Sequence, residues 1–131
     1  MWLLIMGIAP LIGSLPDLFD VENAVQEAWN VAPLTEAMDI ASAYAIIWIT
    51  HAILFAAMCI AAALILSAEA RAKFATIASA AVILFVAPGF AYSNYGNPNQ
   101  FDGGFLVLFV LMHAIVCLAG LLHWNDGKHS K

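Results

Sequence analysis

The sequence predicts an all-α integral membrane protein, a four-helix bundle with a short helix on the outer membrane surface. Three observations lead to this fold class. Of the 131 residues, 64% are hydrophobic and only 10% are charged, whereas about 25% are charged in soluble domains. Four stretches approach the roughly 20 apolar residues that a helix needs to cross a bilayer. The few basic residues are confined to two short segments, as expected when the connections lie on opposite sides of a membrane.

The predicted spans divide one membrane domain, residues 1–131, into four hydrophobic segments. The first has no basic start and no cleavage site of the kind that a secretory signal carries, and Asp17 and Asp20 lie at its end. We therefore expect it to be retained as a helix. The spans are Trp2 to Phe19, Ile40 to Leu66, Phe74 to Tyr92 and Gly104 to Trp124.

The basic residues predict the orientation. Arg71 and Lys73 lie between the second and third spans, and Lys128 and Lys131 lie in the tail. The other two connections have no Lys or Arg, so the positive-inside rule puts both termini in the cytoplasm, and we expect a bacterial inner membrane protein. Four basic residues against nine acidic ones form no surface that could neutralise phosphates, which argues against a nucleic-acid partner.

The connection after the first span predicts a short interfacial helix over about residues 20–32. Its apolar residues recur at helical spacing, with Trp29 dipping into the membrane and Pro33 ending the helix. Elsewhere, small residues predict close helix contacts in the membrane. They are Gly7 and Gly13 in the first span and Ala75, Ala78 and Ser79 in the third.

The second span carries a histidine, His51, on a stripe of large side chains. At 100° per residue, the four stripe partners fall within roughly 60° of His51. We interpret this stripe as the bundle-facing side, with Ala45, Ile49, Ala52, Ala56 and Ile60 pointing elsewhere. The four partners are Tyr44, Trp48, Phe55 and Met58.

The fourth span repeats this arrangement around His113. Its stripe contains Phe109, Cys117, Gly120 and Trp124. His51 is eleven residues past Ile40 and His113 is nine past Gly104, so the two imidazoles are predicted to differ in depth by only about 3 Å. The sequence thus predicts a midplane histidine pair.

Three kinds of role remain open for this pair, and the third, proton relay, lacks a membrane-embedded carboxylate to complete a chain. Each neutral imidazole could bond to a backbone carbonyl, to Thr50, to Tyr44 or to the other histidine, a contact worth about 0.6 to 2 kcal/mol. Alternatively, the pair could bind haem, a chlorophyll-type pigment or a quinone. Haem propionates favour cationic partners, and Arg71 is about 30 Å from His51 along a helix. The hypothetical cofactor-binding residues are His51, His113, Trp48, Tyr44, Phe55 and Phe109.

Several features resemble the small four-helix membrane proteins of the DoxX-like group. They are GSLPDLF at the end of the first span, the acidic outer connection, YGNPN with Gly96 and Pro98 after the third span, and the short basic tail. The resemblance implies an accessory subunit of a membrane redox system, or a protein without an assigned role, and carries over no functional residue.

These observations predict a small non-catalytic membrane subunit, or an assembly or accessory factor, of a larger complex. Its expected partners are the lipid bilayer and other membrane protein subunits. No nucleophile lies near a recognisable base in the sequence, and no metal- or phosphate-binding motif is present, so an enzyme is not expected. The alternative is a cofactor-binding membrane redox protein that uses His51 and His113.

Overall fold

The computed structural model describes residues 1–29, 31–89, 91 and 103–125, and the regular structure within them is helical without a strand. The all-α prediction is confirmed for these residues. The YGNPN loop and the lysines of the tail lie outside them. Five helices follow in chain order: α1, Trp2–Phe19; α2, Val21–Trp29; α3, Glu36–Ile65; α4, Ala68–Gly89; and α5, Gly103–Leu122.

Three of these helices, α1, α3 and α4, are long and apolar enough to cross a membrane. Helix α5 contains the shorter apolar run Leu106–Leu122. Length and composition therefore agree with three of the four predicted spans. The fourth span and the arrangement of all four as one bundle stay predictions.

Helices α3 and α4 begin earlier than predicted because polar residues cap their first turns. The Thr35 hydroxyl accepts a hydrogen bond from the Met38 amide at 3.2 Å, and α3 starts at Glu36 instead of Ile40. The Ser67 hydroxyl accepts one from the Ala70 amide at 3.3 Å, so α4 starts at Ala68 instead of Phe74. Both side chains satisfy an amide that the first helical turn leaves without a partner.

The chain divides into two compact units, Met1–Ala61 and Ala62–Lys131. In the first unit, α1 and α3 touch at Gly7. A Cβ atom at Gly7 would lie 2.6 Å from Cγ1 of Ile60 and 2.8 Å from the carbonyl oxygen of Ala56. The predicted close approach is confirmed at Gly7. It is wrong at Gly13, where a Cβ atom would meet nothing within 4 Å.

Helix α2 packs against protein in the same unit. Val25 is buried with three residues of α3, and Trp29 is half-buried on this cluster. The predicted apolar stripe of α2 is therefore covered at least partly by α3. The helix ends at Trp29 and not at Ala32, so the predicted termination by Pro33 is wrong. The three α3 residues are Met38, Ala45 and Ile49.

In the second unit, α4 and α5 approach closely at Gly120. A Cβ atom at Gly120 would lie 2.6 Å from the carbonyl oxygen of Ala72. Beside it, the buried Thr76 hydroxyl donates to that carbonyl at 3.0 Å and lies 3.5 Å from the carbonyl oxygen of Cys117. The absence of a side chain at Gly120, and a Thr76 hydroxyl that is hydrogen-bonded within its own helix, thus allow the two helix backbones to approach closely. Small residues commonly have this role between helices in lipid.

Basic side chains fix the ends of helices in this unit. The Arg71 guanidinium donates to the carbonyl of Ala63 at 3.3 Å, which satisfies one of the last carbonyls of α3. Lys73 forms an ion pair with Glu69, and its Nζ lies 5.9 Å from the ring centroid of Trp124. The beginning of α4 and the residues just after α5 are therefore held together.

Helix α4 contains a π-helical turn at Val82–Val86. The Ala87 amide donates to the carbonyl of Val82, five residues earlier. Pro88 follows directly, and proline has no amide proton for the carbonyl four residues before it. The wider turn accommodates this missing donor, and α4 continues to Gly89.

Candidate functional site

His51 lies at the centre of α3. It is fifteen residues after Glu36 and fourteen before Ile65, which places it about 21 to 22 Å from either helix end. Half of the hydrocarbon core of a bilayer is only about 15 Å thick. If the middle of α3 lies at the middle of the bilayer, the His51 imidazole lies there as well.

The two ring nitrogens of His51 have different environments. Nδ1 lies 2.6 Å from the carbonyl oxygen of Ile47, and because a carbonyl only accepts, this nitrogen carries the proton. In the neutral ring, Nε2 then has a free lone pair. Among the described residues, none forms a hydrogen bond with Nε2. The adjacent Thr50 hydroxyl donates within its own helix, 2.7 Å from the carbonyl oxygen of Ile46.

Within the first unit, the stripe that contains His51 lies away from the side of α3 that packs against α1 and α2. Its predicted orientation towards the rest of a four-helix bundle stays a prediction. We call Tyr44, Trp48, His51, Phe55 and Met58 the outer stripe. Tyr44 is 62% exposed, Trp48 52% and Met58 49%; His51 is exposed and Phe55 half-buried.

The opposite face of α3, predicted to point elsewhere, is the buried one. Ala45 is 6% exposed, Ile49 9% and Ala56 0%. Alanine lets helix backbones approach, whereas tyrosine and tryptophan hold them apart, and helices in lipid gain most from close backbone contact. The contact between Ala56 and Gly7 is an example of this packing.

His113, at the centre of α5, faces inward. It is 3% exposed, and its Nδ1 lies 2.8 Å from the carbonyl oxygen of Phe109. The rings of His113 and Phe109 have centroids 4.4 Å apart. Gly120, on the same stripe, is buried. The prediction that the α5 stripe is the inward side is confirmed.

The predicted histidine pair is divided between the two compact units. His51 belongs to the first and His113 to the second, so their pairing stays a prediction. One of the open alternatives, a bond from each imidazole to a backbone carbonyl, is confirmed for Nδ1 of both residues. The aromatic residues proposed around the site separate accordingly: Tyr44, Trp48 and Phe55 lie on α3, and Phe109 lies on α5.

Sequence reasoning missed Thr76 as a residue between helices. It is buried on α4, three residues before the correctly predicted Ser79, which is fully buried. The spacing of three residues puts both on one face of a helix, and that signal was available. Two further polar groups, the thiols of Cys59 and Cys117, are free. Within the described ranges, no three His, Cys, Asp or Glu side chains come together as a metal site.

Comparison of the chain with models of protein families, with curated proteins and with solved structures finds no match in any of the three. The DoxX-like resemblance therefore stays a prediction from sequence. Function has to be argued from the two helices and their histidines.

Proposed function

We propose that this protein is a small non-catalytic integral membrane subunit, or an accessory or assembly factor, of a larger membrane complex. It would form a four-helix bundle in a bacterial inner membrane with both termini in the cytoplasm. The observation that carries the proposal is an exposed histidine, His51, at the centre of a helix long and apolar enough to span a bilayer.

A histidine in this position needs a partner. Polar and ionisable residues inside a membrane face protein or a water-filled cavity, because hydrocarbon offers no hydrogen bond. Within the first unit, neither α1 nor α2 covers His51, which is exposed. An unpaired acceptor in an apolar medium costs about 1 to 3 kcal/mol by mutational measures. A second membrane protein that covers this side would remove the cost.

The basic residues support the proposed orientation. Arg71 and Lys73 lie in the first turns of α4, and the Lys73 ammonium lies over the ring of Trp124, two residues after the end of α5. Lysine, arginine and tryptophan concentrate where helices leave the membrane, the basic residues on the cytoplasmic side. The acidic residues of α2 belong to the opposite side in this topology.

The test of the proposed function is the composition of the particle that contains this chain in its own membrane. The chain, tagged at the C-terminus and expressed at its natural level, is extracted in a mild detergent and its stoichiometry with copurifying chains is measured. We expect another membrane polypeptide at a fixed ratio through two sizing steps. A chain recovered alone, as a monomer, contradicts the proposal.

A second candidate function is cofactor binding at His51. The donation from Nδ1 to the Ile47 carbonyl fixes the ring and leaves Nε2 as a ligand, the arrangement that metal-binding histidines use. The first unit has no Lys or Arg to neutralise propionates, so a macrocycle without free carboxylates fits better than haem. A quinone carbonyl does not fit this Nε2, since both atoms accept, whereas a quinol hydroxyl can donate to it.

An absorption spectrum of the purified native protein before and after dithionite tests this second candidate. A red or near-infrared band lost in His51→Leu and kept in His113→Leu supports a pigment on α3. A Soret band that needs both histidines would instead establish the predicted bis-histidine haem. A spectrum with only tryptophan and tyrosine absorption contradicts a coloured cofactor at either residue.

A further inference from the structure

We propose that the end of the second unit near Arg71 binds the headgroup of one anionic phospholipid, with the lipid phosphate held by the Arg71 guanidinium. The inference rests on the membrane location in the proposed function and goes beyond it, because it assigns a lipid site that needs no protein partner. It follows from the charge balance at this end, the geometry of the guanidinium and the apolar side chains beside it.

Arg71 is a cation without a carboxylate partner in the described part of the chain. The Asp, Glu, Lys and Arg side chains that the structure describes in the second unit are Glu69, Arg71 and Lys73. Glu69 forms an ion pair with Lys73, whereas no ion pair joins Arg71 to a described carboxylate. These three side chains therefore leave one positive charge uncompensated, and it lies on an exposed residue.

The Arg71 guanidinium is held in place and still has donors to offer. Nη1 donates to the carbonyl of Ala63 at 3.3 Å, which ties the side chain to the last turn of α3. Nε and Nη2 form no hydrogen bond with the described residues. These two nitrogens form an edge of the fork with which arginine binds two oxygens of a phosphate at once. Because the group is already oriented, less side-chain entropy is lost when an anion binds.

The depth of Arg71 fits the level of the lipid phosphates. The Ala63 carbonyl is twelve residues past His51, or about 18 Å along α3. With the middle of α3 at the middle of the bilayer, the hydrocarbon core ends about 15 Å from His51 and the headgroups extend to about 22 Å. The guanidinium bonded to this carbonyl then lies in the headgroup layer, on the side that the basic residues predict to be cytoplasmic.

Apolar side chains beside this carbonyl favour a lipid over a free phosphate ion. Leu64 and Ile65 directly follow Ala63 and are 72% and 80% exposed. Acyl chains can lie along these side chains while the phosphate meets Arg71, whereas an inorganic phosphate would leave them uncovered. An anionic headgroup fits better than a zwitterionic one, because a zwitterionic headgroup brings its own cation and Arg71 already supplies one.

Lipid titration of the full chain in a neutral detergent, followed by native mass spectrometry, tests the proposal. The probes are phosphatidylglycerol and phosphatidylcholine with the same acyl chains. One basic side chain near an anionic lipid surface corresponds to about 5-fold tighter association. We expect the first phosphatidylglycerol to bind about 5-fold more tightly than the first phosphatidylcholine, and excess inorganic phosphate to leave this preference unchanged.

Variants separate the Arg71 contact from the effect of net charge. Arg71→Gln should abolish the preference, whereas Lys131→Gln also removes one positive charge but should keep it. Glu69→Gln combined with Lys73→Gln removes the ion pair at constant net charge and should keep the preference as well. Arg71→Lys keeps the charge and a donor for the Ala63 carbonyl but not the two-donor edge, so it should lose part of the preference.

The outcomes separate this inference from the proposed function. A preference that Arg71→Gln leaves unchanged, or that Lys131→Gln lowers as much as Arg71→Gln does, overturns the inference. Full preference in Arg71→Lys, displacement of the lipid by inorganic phosphate, or equal binding of the two lipids to the natural chain overturns it as well. None of these results alters the composition of the particle isolated from the native membrane. A chain recovered alone with the lipid preference intact contradicts only the proposed function.

Discussion

Helices α3 and α5 both carry a histidine at the centre of a stripe of large side chains, but the two histidines differ in burial. Each has a histidine at its centre whose Nδ1 donates to the carbonyl four residues earlier. His51 is exposed, whereas His113 is 3% exposed. The local sequence and the local hydrogen bond therefore do not decide which way a membrane histidine faces.

The position of the small residues on each helix decides which way its histidine faces. On α5, Gly120 lies on the same stripe as His113, and its close contact with α4 brings that stripe inward. On α3, the small residues Ala45, Ala56 and Cys59 are buried, and Ala45 and Ala56 lie on the face opposite the outer stripe. Close backbone contact between α1 and α3 therefore leaves His51 on the exposed side of α3, where Nε2 forms no hydrogen bond with the described residues.

The largest expected loss of stability follows from substitution of the buried histidine, His113. His113→Ala removes a packed ring and should destabilise the purified chain by about 2 to 4 kcal/mol, because a cavity forms in a tight contact. His51→Ala, the matched control, should change stability by no more than about 0.5 kcal/mol. Unfolding of both variants in mixed micelles by titration with a denaturing detergent measures the difference. Equal losses would contradict the opposite orientations.

A second substitution tests the close contact that turns α5 inward. Gly120→Ala places a methyl group 2.6 Å from the Ala72 carbonyl oxygen, so backbone has to move, and we expect a loss of about 1 to 3 kcal/mol. Gly89→Ala is the control, because a Cβ atom there meets nothing within 4 Å. Thermal denaturation in one detergent compares the two. A neutral Gly120→Ala would mean that the helices are further apart than described.

The corresponding experiment on the first unit is Gly7→Ala. The new methyl group would lie 2.8 Å from the Ala56 carbonyl oxygen, and we expect a loss of about 1 to 2 kcal/mol. Gly13→Ala, in the same helix with nothing within 4 Å, should be neutral or slightly stabilising, since alanine favours helix over glycine by up to about 1 kcal/mol. The detergent titration measures both variants. If Gly13→Ala costs more than Gly7→Ala, the contact face of α1 is misassigned.

The smallest expected effect concerns the outer stripe. Tyr44→Ala removes a large side chain that is 62% exposed, and the isolated chain should lose less than about 0.5 kcal/mol. Ile49→Ala removes a smaller side chain from the buried face and should cost about 2 kcal/mol. The order of the two midpoints in the same titration is the readout. The reverse order would show that the outer stripe, and not the face with Ile49, is the packed side of α3.

Helix positions could be predicted well from hydropathy, but helix ends could not. Apolar runs located α1 at its observed bounds, and they placed α3 and α4 too late because the first turns are polar and carry acidic residues. Thr35 and Ser67 are typical N-caps, and their hydroxyl groups were a readable signal for both starts. A hydropathy profile does not detect such capping residues, because it measures only how apolar a segment is.

The face of α3 that packs against α1 and α2 carries small residues and not the large side chains of the outer stripe, for a physical reason. Large aromatic side chains indicate a core in water, where burial of apolar area drives packing. In lipid that drive is weak, and the face that allows the closest approach becomes the inner one. Three alanines on the opposite face were a signal for this, and the same reasoning had correctly found Gly7 and Ser79. On α5, the large side chains and the small residue Gly120 lie on the same stripe, so both criteria select one face and the prediction was correct.

The most direct test of the opposite orientations uses the unmodified chain in liposomes. A lipid-soluble diazirine is photolysed in the bilayer, and the carbene products are located by peptide mass spectrometry. The account predicts strong labelling at Tyr44, His51 and Met58 and weak labelling at Ile49, Ala56 and His113. Strong labelling at Ile49 and Ala56 with protection of His51 would contradict it, and would return His51 to the interior of its own chain.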